Sequence, residues 1–79
     1  MSPTVFREGG FRFFFFSREE PRMHIHAICG DGEAKYWLKP EVGLARNHRL
    51  SRSQLNEVER IIKEHYDEIA SAWNAHFSC

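Results

Sequence analysis

Two histidines one residue apart, His24 and His26, are the side chains in this sequence best suited to chemistry. In an extended strand, residues i and i+2 project from the same side, so the two imidazoles stand about 6.5–7 Å apart at the backbone. Three uses are open to such a pair. Two His ligands can converge on Zn²⁺; Cys29, Glu33 and His48 are the further donors, none at a diagnostic spacing, so no metal is favoured. Imidazoles titrate near neutrality, so the pair can instead act as general acid and base. A metal-independent ribonuclease needs that pair plus a cation beside the phosphate, which Lys35, Arg46 or Arg12 can supply. The plainer use is structural, with both rings hydrogen-bonded across a sheet. If the chain is an enzyme, the catalytic set is His24, His26 and Lys35, and no cofactor is expected.

A second cluster comprises Arg46, Asn47, His48, Arg49 and Arg52. It leads into a helix, where free N–H groups and the macrodipole favour an anion. A phosphate or an acidic partner can dock there; the plainer reading is a solvated, positively charged lead-in. The helix itself carries Glu57, Glu59, Glu64, Asp67 and Glu68, so its outer face repels a nucleic-acid backbone and does not suit insertion into a DNA groove.

The elements that must position these residues are legible from pattern. Apolar residues at Leu55, Val58, Ile62, Tyr66, Ile69, Trp73 and Phe77 fall at steps of three and four, one stripe of an amphipathic helix. Ser51 and Gln54 form a capping box, and Leu50 and Leu55 a hydrophobic staple. With no Gly or Pro inside, the run predicts one unbroken helix over 51–77, roughly 27 residues and about 40 Å long. Upstream, residues 4–7 and 11–16 read as strands of a hairpin (4–16) around Gly9-Gly10, a connection in which both residues can take positive φ. That register sets Phe6 opposite Phe13 and Val5 opposite Phe14. It also divides the second strand into Phe11, Phe13 and Phe15 on one face and Phe14 and Phe16 on the other.

Residues 23–29 and 33–39 predict a second hairpin (23–39) across Gly30-Asp31-Gly32. If Cys29 pairs with Glu33, His26 lies near Tyr36 and Ile25 near Trp37; a slip of one residue reverses the grouping. Neither face is cleanly polar, so pattern alone does not say whether the histidines face the helix. Residues 40–50 are a connection or a short fifth strand centred on Val42 and Leu44. The order predicts a single α+β domain: an antiparallel sheet of four strands, or five, with one long C-terminal helix on one face.

Composition bounds the rest. Seventy-nine residues make one domain with a marginal core. Zero formal net charge argues against a general nucleic-acid or membrane-surface binder and leaves room only for a local basic patch. Cys29 and Cys79 read as free thiols in a reducing compartment. No stretch has a secretion-signal pattern and the Phe13–Phe16 run is too short to span a bilayer, so a cytoplasmic setting without membrane contact is expected.

One helix covers one sheet face, which leaves aromatic side chains over. Phe14, Phe16, Trp37, Trp73 and Phe77 are therefore the expected interface, with Trp73 and Phe77 overhanging a short sheet. His65 and His76 read as surface or edge residues.

Several motifs in order carry a family resemblance. They are Pro3-Thr4-Val5-Phe6, Gly10-Phe11-Arg12-Phe13-Phe14-Phe15, His24-Ile25-His26, Gly32-Glu33-Ala34-Lys35-Tyr36-Trp37-Leu38, Leu44-Ala45-Arg46-Asn47-His48, and the Ser51-Arg52 helix start ending in Trp73. Together the chain resembles a family of small bacterial proteins known as a domain of unknown function, number 4160. The sequence departs from that family at Glu20-Pro21-Arg22-Met23, where consecutive prolines are usual. The resemblance implies genes paired with another small protein, in arrangements like toxin–antitoxin pairs or mobile-element cargo.

Taken together, the expectation is a small non-catalytic interaction protein that binds a protein or nucleoprotein partner stoichiometrically, as a homodimer or hetero-complex. A ribonuclease using His24 and His26, and a His-x-His metal module, are the alternatives.

Overall fold

The computed structural model describes residues 4–15 and 22–77. Five strands, β1 (Thr4–Glu8), β2 (Phe11–Phe14), β3 (His24–Ile28), β4 (Glu33–Trp37) and β5 (Gly43–His48), form one antiparallel sheet in sequence order. Two helices follow, α1 (Arg52–Glu64) and α2 (Tyr66–Phe77). The class is the expected α+β, and residues 43–48 supply the fifth strand.

The first hairpin turns through Gly9 (φ 63°) and Gly10 (φ 82°), where residues with a Cβ would be strained. Phe6 pairs with Phe13 as the turn requires, and their rings stack at 4.7 Å. Beyond that pair the register shifts, so Thr4 and not Val5 stands opposite Phe14; the irregularity lets Arg12 Nε donate to Thr4 Oγ1 at 2.7 Å.

The β3–β4 hairpin adopts the other register. Ile28, not Cys29, pairs with Glu33, which sets His26 opposite Lys35, Ile25 opposite Tyr36 and His24 opposite Trp37. Cys29 instead donates its N–H to the Gly32 carbonyl and closes the turn at 2.9 Å. That one-residue difference groups the basic and imidazole side chains on one face and the apolar ones on the other.

The apolar face meets the helices. Phe11, Phe13, Phe15, Ile25, Ala27, Ala34 and Tyr36 pack with Leu55, Val58, Ile61, Ile62, Ile69 and Trp73 in one core. Tyr36 fastens sheet to helix, its hydroxyl donating to the Leu55 carbonyl at 2.9 Å, and Tyr66 does the same to the Leu38 carbonyl. The α1 start is as expected: Gln54 N–H donates to Ser51 Oγ and Ser51 N–H to Gln54 Oε1.

The expected single helix is two. His65 leaves helical geometry (φ −106°, ψ 19°) between α1 and α2. No Gly or Pro marks the break; the side chain does. Its ring lies 4.7 Å from the Phe6 ring, Nε2 bonds Glu8 on β1 at 2.8 Å and Nδ1 bonds Glu68 at 3.0 Å. A contact across 57 residues thus falls where helical geometry is interrupted, although local propensity favours continuation.

Trp73 reaches Phe15 and His24, each at 5.2 Å between rings, and is 9 % exposed, so it packs within the fold and does not overhang. Phe14 is also buried, stacked on His26 at 5.3 Å with the Arg12 guanidinium 4.7 Å over its ring. Among the described residues Leu44 is the one large apolar side chain that stands exposed. The surplus aromatic surface expected for an interface is therefore not present at Phe14 or Trp73, while Trp37 is half-buried. The expectations for Phe16 and for the Phe77 side chain lie outside the described residues.

A basic pocket as candidate functional site

Strand register builds the site on the sheet face away from the core. One cross-strand row runs Phe14, His26, Lys35, Arg46; the next runs Arg12, Ile28, Glu33, His48. Directly opposed side chains have Cβ atoms about 4.5–5.5 Å apart, so each row is a line of touching groups. His26, Glu33, Ala34, Lys35, Arg46 and His48 enclose a pocket of about 260 Å³. Lys35 and His26 lie buried, while Arg46 and His48 are exposed.

The buried members are oriented by rings. His26 stacks on Phe14 (21° between planes) and meets the edge of His24 at 5.2 Å. Lys35 Nζ lies 4.7 Å from the Trp37 ring centroid, and the Arg22 guanidinium lies 4.1 Å from it. Among the described residues, the strand rows of this face carry Arg7, Arg12, Lys35 and Arg46 together with Glu33. The helices carry five carboxylates (Glu57, Glu59, Glu64, Asp67, Glu68) against Arg52, Arg60 and Lys63.

The two expected histidines part company. His26 lines the pocket; His24 is fully buried among His26, Trp37 and Trp73. Its Nδ1 lies 2.6 Å from the Arg22 carbonyl, an oxygen that only accepts, so that nitrogen carries a proton and is not a metal ligand. Lys35 stands opposite His26 on β4.

The second expected cluster also divides, because alternate residues of β5 face opposite ways. Arg46 and His48 join the pocket. Asn47 instead locks the turn before α1, its side chain donating to the Leu50 carbonyl and accepting from the Leu50 N–H. Arg49 takes positive φ (73°), and Arg52 begins α1 away from the pocket lining. The helix start is already engaged: besides the Ser51–Gln54 box, Gln54 donates to Asp31 at 2.9 Å.

Sequence reasoning missed two associations. The sequence offers His48 beside His26 only as a further metal donor; the alternation Arg46-x-His48 is the signal that it shares a face with Arg46. The other is His65, whose two nitrogens both meet carboxylates, Glu68 and Glu8, that only accept. Hydrogen bonds from the ring to Glu68 and then Glu8 raise its pKa, which favours the protonated ring. Ligand atoms of Glu8, Glu64 and His65 lie within 4.8 Å of one another, and a cation there would have to displace that proton. No helix among the described residues is long and apolar enough to cross a membrane.

The fold and pocket define a small α+β domain with a basic, imidazole-bearing sheet face. The chain belongs to the family described as Domain of unknown function (DUF4160), whose model matches residues 10–74. That span takes in the whole pocket. Neither a curated protein nor a solved structure matches the chain.

Proposed function

We propose that this protein binds a single nucleic-acid strand by its phosphates, on the sheet face away from the helices. The observation that carries this reading is the convergence of Lys35, Arg46, His26 and His48 on one pocket. Guanidinium and ammonium groups suit phosphate oxygens, the first as a fork and the second as a point charge. Half-buried Trp37, next to Lys35 on the same face, adds an aromatic surface of the kind on which bases stack. The acidic helices face away, which favours a strand lying along the sheet over a duplex wrapped around the domain.

In this reading the protein acts by stoichiometric binding in the cytoplasm, through a basic patch with Trp37 beside it. A toxin–antitoxin-like gene pairing is the setting the family resemblance implies.

Fluorescence anisotropy with a labelled oligouridylate, titrated across a range of KCl, tests it. Each cation that meets a phosphate adds about −0.7 to the slope of log K against log[salt], so Arg46→Ala makes the slope shallower by about 0.7. Arg46 is exposed, so the variant folds as the parent does. No binding at low salt, or a slope unmoved by Arg46→Ala, overturns the reading.

A further inference from the structure

We propose that Arg7 and Arg12 form a second phosphate seat on this face, so that a bound strand crosses all five β-strands; the proposal rests on the sheet face being a strand-binding surface. One directly opposed row runs Arg7, Arg12, Ile28, Glu33, His48 from β1 to β5, on the face that carries Arg46. The two arginines border a shallow hollow of about 520 Å³ beside the β1–β2 turn, together with Gly10, Cys29 and Gly30. An added Cβ at Gly10 or Gly30 would meet nothing within 4 Å, so this border leaves room for a ligand.

Two features suit the hollow to an anion. Arg7 and Arg12 are direct partners on neighbouring strands, with Cβ atoms about 4.5–5.5 Å apart, and like charges so placed destabilise a sheet. A phosphate between them turns that repulsion into attraction, and each guanidinium offers it a fork of donors. The carboxylate that borders the hollow, Glu8, is already committed, bonded to His65 Nε2 at 2.8 Å. Arg12 is held in place, its Nε donating to Thr4 Oγ1 at 2.7 Å and its guanidinium 4.7 Å over the Phe14 ring. It serves as a fixed charge, and the exposed Arg7 is the member that reaches the ligand.

The position of this seat sets the path of the strand. Arg7 on β1 and Arg46 on β5 are four inter-strand spacings apart, about 19 Å. Glu33 on β4 lies between them and repels phosphate, so the two ends act as separate seats. A strand of about four nucleotides is needed to occupy both, the low end of the site sizes of strand-binding domains. A dinucleotide fills one seat only.

The test is fluorescence anisotropy of the full chain with labelled oligouridylates of two, four, six and ten nucleotides, for the parent, Arg7→Ala and Arg46→Ala. In the parent, affinity climbs between the dinucleotide and the hexanucleotide. Arg7→Ala removes that climb and makes the salt slope of the decanucleotide shallower by about 0.7. Its melting temperature equals or exceeds the parent's, because a like-charge neighbour is gone. A decanucleotide slope that moves with Arg46→Ala but not with Arg7→Ala overturns this inference and leaves the binding reading standing. A fall in the melting temperature of Arg7→Ala assigns the residue to the fold and overturns it as well. So does inorganic phosphate that stabilises the parent and not Arg7→Ala while affinity is indifferent to strand length, since the seat then serves free phosphate. Failure of every oligonucleotide to bind at low salt overturns both.

Discussion

Gly32→Ala tests how the site is held together. Gly32 lies under the exit of β5, where a Cβ would overlap the His48 carbonyl oxygen, lie 3.1 Å from the His48 carbonyl carbon and come within 2.9 Å of Arg49 Cβ. The obstacles are mostly backbone, so no rotamer change relieves them. Restoring ordinary contact moves the β5 exit by more than about 1 Å. Overpacking of this kind costs about 1–3 kcal/mol, and a domain of this size loses about 4–8 °C of melting temperature per kcal/mol. The expected fall is therefore roughly 5–25 °C by circular dichroism. Because β5 carries Arg46 and His48, oligouridylate binding weakens as well. The comparison is Gly43→Ala on the same strand, where an added Cβ meets nothing within 4 Å. Loss of backbone freedom in the unfolded chain then makes that variant neutral or more stable by up to about 1 kcal/mol. Equal melting temperatures for the two variants would refute the close approach of β5 to the β3–β4 turn.

Three further outcomes are expected. Burial, with a smaller contribution from Glu59, pushes the Tyr36 phenol up to about 12. The fold therefore favours the neutral phenol: the Tyr36 contribution to stability is constant below pH 10 and is lost between about 10 and 12, by up to roughly 2.7 kcal/mol at 1.36 per pH unit. Denaturant titrations at alkaline pH show this fall, and Tyr36→Phe abolishes it while costing about 1 kcal/mol at neutral pH for the lost bond to Leu55. His65, raised by Glu68 and then Glu8, has the opposite kind of titrating group but the same sign. Its contribution is fully present below the ordinary histidine value near 6.5 and is lost as pH rises through the raised one, so thermal midpoints decline across neutrality in the parent and stay level in His65→Ala. Ile61→Ala, at a fully buried position between helix and sheet, costs about 2–5 kcal/mol in urea unfolding, whereas Leu44→Ala on exposed β5 stays within about 0.5.

What could be read without coordinates was whatever neighbouring residues settle among themselves. The Gly9-Gly10 hairpin, the Ser51–Gln54 cap, the amphipathic stripe and the Phe11/Phe13/Phe15 against Phe14 alternation all depend on groups two to four residues apart, whose geometry the backbone imposes. What needed the folded chain was every relation across strands. Pairing Ile28 with Glu33 puts Lys35 beside His26, and one residue of slip would have put Tyr36 there, since side chains alternate and a single step exchanges the faces. The helix gave no local reason to end at His65; Glu8, brought up by β1, and the Phe6 ring supply one from outside the segment. His48 joins His26 because β5 lies against β4, and Phe14 and Trp73 are sealed because His26, Arg12, Phe15 and His24 come to them from other elements. Local chemistry shaped each element, and the pocket exists because distant elements meet in one register.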